Sequence, residues 1–345
     1  MRYLGMHQQN HQYWLDLMNR SKYRKFSSDR YNNGPLVDEL ETRIAALLGK
    51  PDALFFNKGT SCQLAALKVH CENQNNNKIM LHPQSHIAAD EQNAYQELIN
   101  LQGVLIGHQD KPICLDDVKE VTEKVAVLVI ELPLRRAGFK LPEWQELLKL
   151  RRWCDANNVI MHLDGARIWE SANFYNLAWA SIANLFDSVY VSLYKGLGGM
   201  TGALLAGDAK TLEQCQIWRD RLGSNMWTAF PALITALEGI DKNLNQISSW
   251  VNRAKEIANA LQVVKGLTID TPQTNGFQIK IKANLYQLNN QLNKISQQME
   301  ISPCKPFAAA PTNHQLFTEV QVGAQHTQIR TQELVQFFKK LTSAK

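Results

Sequence analysis

The sequence lacks the features that mark a membrane or secreted protein. Over 345 residues no stretch approaches the roughly 20 consecutive apolar residues that a membrane span requires. The residues from Met1 to His7 contain no apolar core of a signal peptide. We therefore expect a cytoplasmic protein with no membrane partner.

Cysteine pairs and blocks of like charge are also missing. The six cysteines lie far apart, with no Cys-x-x-Cys pair and no Cys/His spacing of a zinc site, which is typical of reduced thiols in a cytosolic protein. The 37 basic and 32 acidic residues are mixed along the chain, so we expect no nucleic-acid partner. With 45% hydrophobic and 20% charged residues, the composition is that of a globular protein with a large core.

Short apolar runs alternate with helical patterns over the first two thirds of the chain. Apolar residues at helical spacing predict a helix from Pro35 to Gly49, and Ala53 to Phe56 predict the strand after it. Further apolar runs at 125–130, 159–163 and 189–193 predict buried strands. Continuously apolar strands separated by helices indicate a mostly parallel sheet covered on both faces. The predicted fold class is α/β.

The pattern changes after about residue 225. A long helical stretch from Ala229 to Val264 is followed by short strands and two further helical segments, as in a small α+β domain. We therefore predict an N-terminal helical segment over 1–25, a large α/β domain over 26–230, and a small C-terminal α+β domain over 231–345.

Polar motifs follow two of the predicted strands. HLDGAR at 162–167 and SLYKGLGG at 192–199 place Asp164 and Lys195 near carboxyl ends of strands, where ligands bind in open α/β sheets. A pyridoxal cofactor needs a lysine amine that forms an imine and a carboxylate that keeps the ring nitrogen protonated. Taken singly, Asp164 also fits a helix cap and Lys195 a solvated loop residue.

Three segments in order carry a resemblance to a known family. The segments 31–71, 162–170 and 187–207 resemble the threonine aldolase / β-eliminating lyase family of fold-type I enzymes that depend on pyridoxal 5'-phosphate (PLP). The match runs from about residue 30 to 230. It implies a large PLP domain, a smaller C-terminal domain, and a homodimer or homotetramer with active sites at the dimer interface.

The resemblance also assigns roles to residues around the cofactor. It implies that Lys195 is the Schiff-base lysine, that Asp164 partners the pyridine nitrogen, and that Arg167 lies near the cofactor hydroxyl and the substrate carboxylate. A planar guanidinium suits a carboxylate because it donates two parallel hydrogen bonds. His86 matches the histidine that stacks on the ring and assists proton transfer, with a structural histidine as the alternative.

The remaining implied contacts hold the phosphate and the substrate. A turn that feeds a helix N-terminus binds phosphate through free backbone N–H groups. No metal is expected, because Pro83 argues against one helix carrying both His82 and His86. The resemblance implies that Gly59 and Thr60, with Lys58 in place of the family's serine, contact the phosphate, that Ser192 contacts the cofactor, and that Tyr31 and Leu134 contact the substrate.

Some positions depart from the family pattern. The usual Glu-Asn-Thr-His run reads Glu131-Leu132-Pro133-Leu134, so Leu134 replaces the histidine that contacts the substrate's β-hydroxyl. A leucine cannot donate to or accept from that hydroxyl. The segment 320–323 also lacks the second arginine for the substrate carboxylate. These changes indicate a divergent subgroup.

The function that the resemblance implies is cleavage of a small amino-acid substrate. A β-hydroxy-α-amino acid would be split between Cα and Cβ into glycine and an aldehyde, with PLP as the electron sink. The same scaffold also supports a β-eliminating lyase or a transaminase. A third alternative is a PLP-binding protein without turnover, which the missing histidine and arginine favour.

Overall fold

The chain forms two compact units. The computed structural model describes residues 1–5, 9–310 and 315–343. One unit is Gln9–Leu244, and the other combines Met1–Gln8 with Asn245–Lys345. The predicted domain boundaries stay predictions. Within the described residues, no helix combines the length and the apolar character that crossing a membrane requires.

The strands are short and occur along the whole chain. Numbered in chain order, they are β1 (Arg2–Tyr3), β2 (Asp52–Phe56), β3 (Lys78–Leu81), β4 (Gln102–Leu105), β5 (Val127–Glu131), β6 (Ile160–Asp164), β7 (Ser188–Ser192), β8 (Ala203–Gly207), β9 (Leu267–Ile269), β10 (Gly276–Ile281), β11 (Ile301–Ser302), β12 (Ala308–Ala309) and β13 (Leu316–Gln321).

The helices connect these strands. They are α1 (His11–Arg20), α2 (Pro35–Leu48), α3 (Gly59–Asn73), α4 (His86–Ala89), α5 (Ala94–Glu97), α6 (Leu115–Lys119), α7 (Trp144–Asn157), α8 (Ile168–Tyr175), α9 (Trp179–Ala183), α10 (Ala209–Arg221), α11 (Phe230–Asn243), α12 (Ile247–Leu261), α13 (Leu285–Met299) and α14 (Thr331–Ser343).

The larger unit is built on a seven-stranded sheet with the order β2-β8-β7-β6-β5-β3-β4. The strands from β4 to β7 pair in parallel, whereas β8 runs antiparallel to both β7 and β2. The central strands are almost fully buried, as expected when helices cover both faces. The predicted mostly parallel α/β sheet is therefore confirmed.

Helix α2 shows how the sequence sets an element of this unit. Pro35 opens the helix, where its missing N–H has no role, and Gly49 ends it in the left-handed region with φ of 60°. Between them, the apolar residues at helical spacing are buried. These residues are Leu36, Val37, Leu40, Ile44, Ala45 and Leu48.

The helical stretch predicted over 229–264 is two helices and not one. Helix α11 ends at Asn243, a 3₁₀ turn covers Leu244–Gln246, and α12 begins at Ile247. A single 3₁₀ turn hardly disturbs the apolar spacing of a helix, so the pattern alone did not reveal the break.

The smaller unit has the α+β character that the sequence predicts. An antiparallel sheet with the order β12-β13-β10-β9 forms its centre, and Gly276 of β10 pairs with Gln321 of β13. Strand β1 pairs in parallel with β11. Helices α12 and α13 both pack against α14.

Candidate active site

Three neighbouring strands end at the same edge of the larger sheet with polar residues. Glu131 is the last residue of β5, Asp164 of β6 and Ser192 of β7. Glu131 and Asp164 are direct partners in the parallel register. The loop that follows β7 carries Lys195 back to this edge. The carboxyl ends of the strands therefore gather acids and a lysine at one place, where open α/β sheets bind ligands.

A cavity of about 280 Å³ lies at this edge. It brings together the four predicted residues Lys195, Asp164, Arg167 and His86, and it adds Glu131 and Arg135. The polar side chains that line it are His86, Glu131, Arg135, Asp164, Arg167 and Lys195.

Lys195 lies in this cavity beside charges of both signs. Burial lowers the pKa of its amine, the Asp164 carboxylate opposes that change, and Arg167 adds to it. A lowered pKa leaves more of the amine neutral, the form that attacks a carbonyl group. Gly196 follows, and a Cβ there would lie 2.5 Å from Oε1 of the buried Glu170, so a larger residue beside this lysine would displace that side chain.

The Asp164 carboxylate is buried and held by two donors. Its side chain is only 1% exposed. Oδ1 accepts a hydrogen bond of 3.2 Å from the backbone N–H of Ala166, and Oδ2 accepts one of 2.9 Å from Gln63 Nε2. Each carboxylate oxygen can accept a further bond, so both remain able to bind a ligand.

Arg167 is mostly buried and faces an unusual carboxyl group. Its Nη1 lies 3.8 Å from Glu170 Oε1, and its guanidinium lies over the ring of Phe139 at 5.7 Å from the centroid. Glu170 is completely buried, and within the described part of the chain neither of its carboxyl oxygens has a hydrogen-bond partner. Burial raises the pKa of Glu170 to about 7, although Arg167 opposes the shift.

His86 begins α4 and is fixed on three sides by acids. Its Nδ1 lies 3.2 Å from Asp90 Oδ2 and its Nε2 lies 3.5 Å from Glu91 Oε1. Its backbone N–H donates to Glu131 Oε2 at 2.8 Å. Burial raises the pKa of Glu91 to about 7, and burial together with Asp164 raises the pKa of Glu131. Glu131, which lines the cavity, and Glu91, which lies beside His86, can thus exist in either protonation state near neutral pH.

The predicted phosphate contacts lie at the N-terminus of α3. Gly59 is the first residue of the helix, and Lys58 before it makes no side-chain cap, so the first backbone N–H groups of α3 are not capped by that residue. Gly59 is buried, Thr60 half-buried and Lys58 exposed. These three residues, like the fully buried Ser192, are not among those that line the cavity.

The two predicted substrate contacts lie elsewhere. Tyr31 is 52% exposed and makes an edge contact with Trp227 at 5.1 Å between ring centroids. Leu134 is buried and lines a separate cavity of about 230 Å³. Neither residue lines the cavity of Lys195.

Several residues around the site were not predicted. Glu131 could have been found, because it ends an apolar strand at the same edge as Asp164. Glu91, Gln63 and Glu170 lie in a loop or in helices, where no local pattern marks a buried polar side chain. In the described ranges, no cluster of three or more His, Cys, Asp or Glu side chains is placed to hold a metal ion.

Comparison with known proteins identifies the family. Residues 24–284 match the family model described as beta-eliminating lyase. The chain belongs to the beta-eliminating lyase family. A low-specificity L-threonine aldolase of Candida albicans is 26% identical over 271 residues, which cover 75% of this chain and 71% of that protein.

Solved structures of this family and fold resemble the chain along nearly its whole length. A provisionally named L-allo-threonine aldolase of Listeria monocytogenes is 30% identical with a TM-score of 0.93, covering 99% of this chain and 96% of that one. The enzyme SPT, solved with PLP as an internal aldimine, is 14% identical with a TM-score of 0.76, covering 99% and 87%, and shares the fold.

These findings confirm the predicted family and the fold of fold-type I PLP enzymes. The chain is an enzyme of the lyase class. Family and fold together imply PLP as the cofactor.

Proposed function

We propose that the chain is a PLP-dependent carbon–carbon lyase that cleaves a β-hydroxy-α-amino acid to glycine and an aldehyde. The observation that supports this most is that Lys195, Asp164, Arg167 and His86 line one cavity at the carboxyl edge of the sheet. An amine, an oriented carboxylate, a guanidinium and an imidazole are the groups that this chemistry uses.

The residues at the site fit PLP. Asp164 would offer its buried carboxylate to the ring nitrogen, and the N-terminus of α3 at Gly59 and Thr60 would offer backbone N–H groups to the phosphate. Lys195 would hold the cofactor covalently through its amine, whose pKa is lowered by burial. When bound, PLP supplies the electron sink for the electron pair of the broken bond.

Arg167, His86 and Lys195 have different roles toward the substrate. Arg167 binds the α-carboxylate of the amino acid and orients the Cα–Cβ bond. His86 Nε2 takes the proton of the β-hydroxyl as the Cα–Cβ bond breaks and the aldehyde C=O forms. The electron pair remains at Cα, which gains a proton to give glycine. Lys195 Nζ lies in the same cavity and can supply that proton.

The other family-derived contacts support the site from outside the cavity. We propose that Lys58 adds positive charge near the phosphate and that Ser192 contacts the cofactor from the end of β7. Tyr31 and Leu134 stay predictions as substrate contacts, since neither lines the cavity of Lys195.

We further propose a cytoplasmic homodimer or homotetramer with its active sites at the dimer interface. Several large apolar side chains are exposed on the larger unit, and exposed apolar surface is what protein–protein interfaces bury. They are Tyr31, Tyr194, Met200, Met226, Trp227 and Phe230. A second copy of the chain would cover them.

Product analysis tests this function. The protein saturated with PLP is incubated with a panel of β-hydroxy-α-amino acids, and glycine, aldehyde, ammonia and keto acids are measured. Glycine and aldehyde in equal amounts are expected. Ammonia with a keto acid would identify a β-eliminating lyase, and turnover only with added keto acid would identify a transaminase. A PLP-bound protein inactive on the whole panel would identify a non-catalytic binding protein.

A further inference from the structure

A line of buried polar side chains begins at Asp164. The proposed reaction assigns no role to these side chains. The line passes through Gln63 and His70 of α3, His162 of β6 and Ser188 of β7. Gln63, His162 and Ser188 are fully buried and His70 is 4% exposed. Buried polar groups at this density are costly unless each one is paired, so their pairing has to be explained.

The hydrogen bonds join these side chains into one line. Gln63 Nε2 lies 2.9 Å from Asp164 Oδ2, and Gln63 Oε1 lies 3.3 Å from His162 Nε2. His162 Nδ1 lies 2.7 Å from Ser188 Oγ. The same hydroxyl lies 2.7 Å from His70 Nε2.

The carboxylate sets the direction of every donation in this line. Because Asp164 only accepts, Gln63 must turn its amide N–H toward it, which leaves Gln63 Oε1 to accept from His162 Nε2–H. His162 Nδ1 then carries no hydrogen and accepts from the hydroxyl of Ser188. Ser188 Oγ, having donated its hydrogen, accepts from His70 Nε2–H.

The two imidazoles must be neutral for this order to hold. A protonated His162 would offer a second N–H to Ser188, and the line would lose its single direction. Burial lowers the pKa of His162 to about 3 and that of His70 to about 4. Both rings are therefore neutral at pH 7, as the geometry requires.

We propose that Gln63, His162, Ser188 and His70 are positioning residues that hold the Asp164 carboxylate in place as an oriented anion for the ring nitrogen of the cofactor. Aligned hydrogen bonds polarise one another, so each donor along the line strengthens the bond that Asp164 accepts. The line ties Asp164 to α3 and β7, so the same helix that begins at Gly59 also fixes the ring-nitrogen partner. This inference rests on the proposed PLP cofactor.

Two substitutions interrupt the line at different distances from Asp164. Gln63→Met keeps the length of the side chain and removes the donor to Asp164, whereas Ser188→Ala removes one hydroxyl two residues further along the line. Ser171→Ala is the matched control. Ser171 is equally buried, but its hydroxyl donates to the carbonyl of Arg167 within its own helical turn.

The first readout is the absorbance of the PLP-bound protein as a function of pH. A protonated ring nitrogen would withdraw electrons from the linkage between the cofactor and Lys195. When Asp164 binds that nitrogen less firmly, less of it is protonated, so the linkage loses its proton at a higher pH. We expect the midpoint to rise by about half a pH unit or more in Gln63→Met, and by less in Ser188→Ala. Ser171→Ala should leave it unchanged.

The second readout is the protonation of the two imidazoles in ¹⁵N-histidine NMR spectra. Neutral rings with hydrogen on Nε2 are expected at His70 and His162, with altered signals in Ser188→Ala. Hydrogen on Nδ1, or a charged ring at pH 7, would overturn the proposed order.

The outcomes separate this inference from the proposed function. A wild-type protein that binds PLP, with unchanged midpoints in both folded variants, would overturn the positioning role and leave the lyase proposal intact. A wild-type protein that binds no PLP would overturn both.

Discussion

Gly59, at the start of α3, lies against the ring of Tyr190 in β7. A Cβ on Gly59 would lie 2.9 Å from Tyr190 Cζ and still closer to the hydroxyl oxygen. Tyr190 is 1% exposed, so its ring is enclosed by the protein. The first turn of α3 therefore packs close to Tyr190 of the sheet because residue 59 has no Cβ.

Gly59→Ala should weaken PLP binding. The added methyl group would push the N-terminus of α3 away from Tyr190 and misplace its N–H groups toward the phosphate. We expect the Kd for PLP, measured by spectroscopic titration, to rise about tenfold or more. Gly207→Ala is the control, because a Cβ there would meet no atom closer than 3.5 Å. Equal affinities in both variants would refute the role of α3.

Asp164→Asn should slow turnover far more than it weakens PLP binding. The amide keeps the shape of the carboxylate and can still accept from Gln63, but it has no charge to balance a protonated ring nitrogen. We expect kcat for aldehyde release to fall about 100-fold or more. The exposed Asp116→Asn should have no effect. A kcat within a factor of two of the wild type would contradict the assignment.

Glu170→Gln should stabilise the fold at alkaline pH. The pKa of Glu170 is raised to about 7 in the folded state, above its ordinary value, so the wild type loses stability as the pH rises from about 4 to about 7. A neutral amide avoids this loss. We expect the variant to gain about 1 to 3 kcal/mol in free energy of unfolding at pH 8, and little at pH 4.

Urea unfolding of the PLP-free protein at the two pH values measures this gain. Glu39→Gln, at an exposed position of α2, is the control and should show no pH-dependent gain. A gain of equal size at pH 4 and pH 8 would show that Glu170 is not the source of the pH dependence.

Arg167→Lys should raise KM for the amino acid while PLP remains bound. Lysine keeps the charge but cannot donate two parallel hydrogen bonds to a carboxylate. We expect KM for the best substrate to rise about tenfold, and Arg152→Lys on the surface of α7 to leave it unchanged. An unaltered KM in Arg167→Lys would place the carboxylate elsewhere.

The sequence predicts the parts of the site that depend on strand ends. Asp164 and Lys195 follow apolar strands, and parallel strands bring their carboxyl ends to one edge whatever the rest of the fold does. His86 and Arg167 were found only because their motifs resemble those of a known family.

The parts that were missed depend on packing between distant segments. Gln63 and Asp164 are 101 positions apart, and a polar side chain within the helix α3 gives no local sign that it will be buried against β6. Leu134, which the match by position assigns to the substrate, lines a neighbouring cavity, and its substrate contact stays a prediction. Strand β8 was also not predicted. Its antiparallel direction could not be predicted in any case, since periodicity does not report strand direction.

Aldehyde release by the wild type and by Lys195→Ala tests the central claim most directly. Both proteins are supplied with PLP and with the best substrate from the panel of β-hydroxy-α-amino acids, and the aldehyde is measured over time. The wild type should release aldehyde and glycine in equal amounts, and the variant should be slower by about 1,000-fold or more. Equal rates in the two proteins would contradict the assignment of Lys195 as the residue that carries the cofactor.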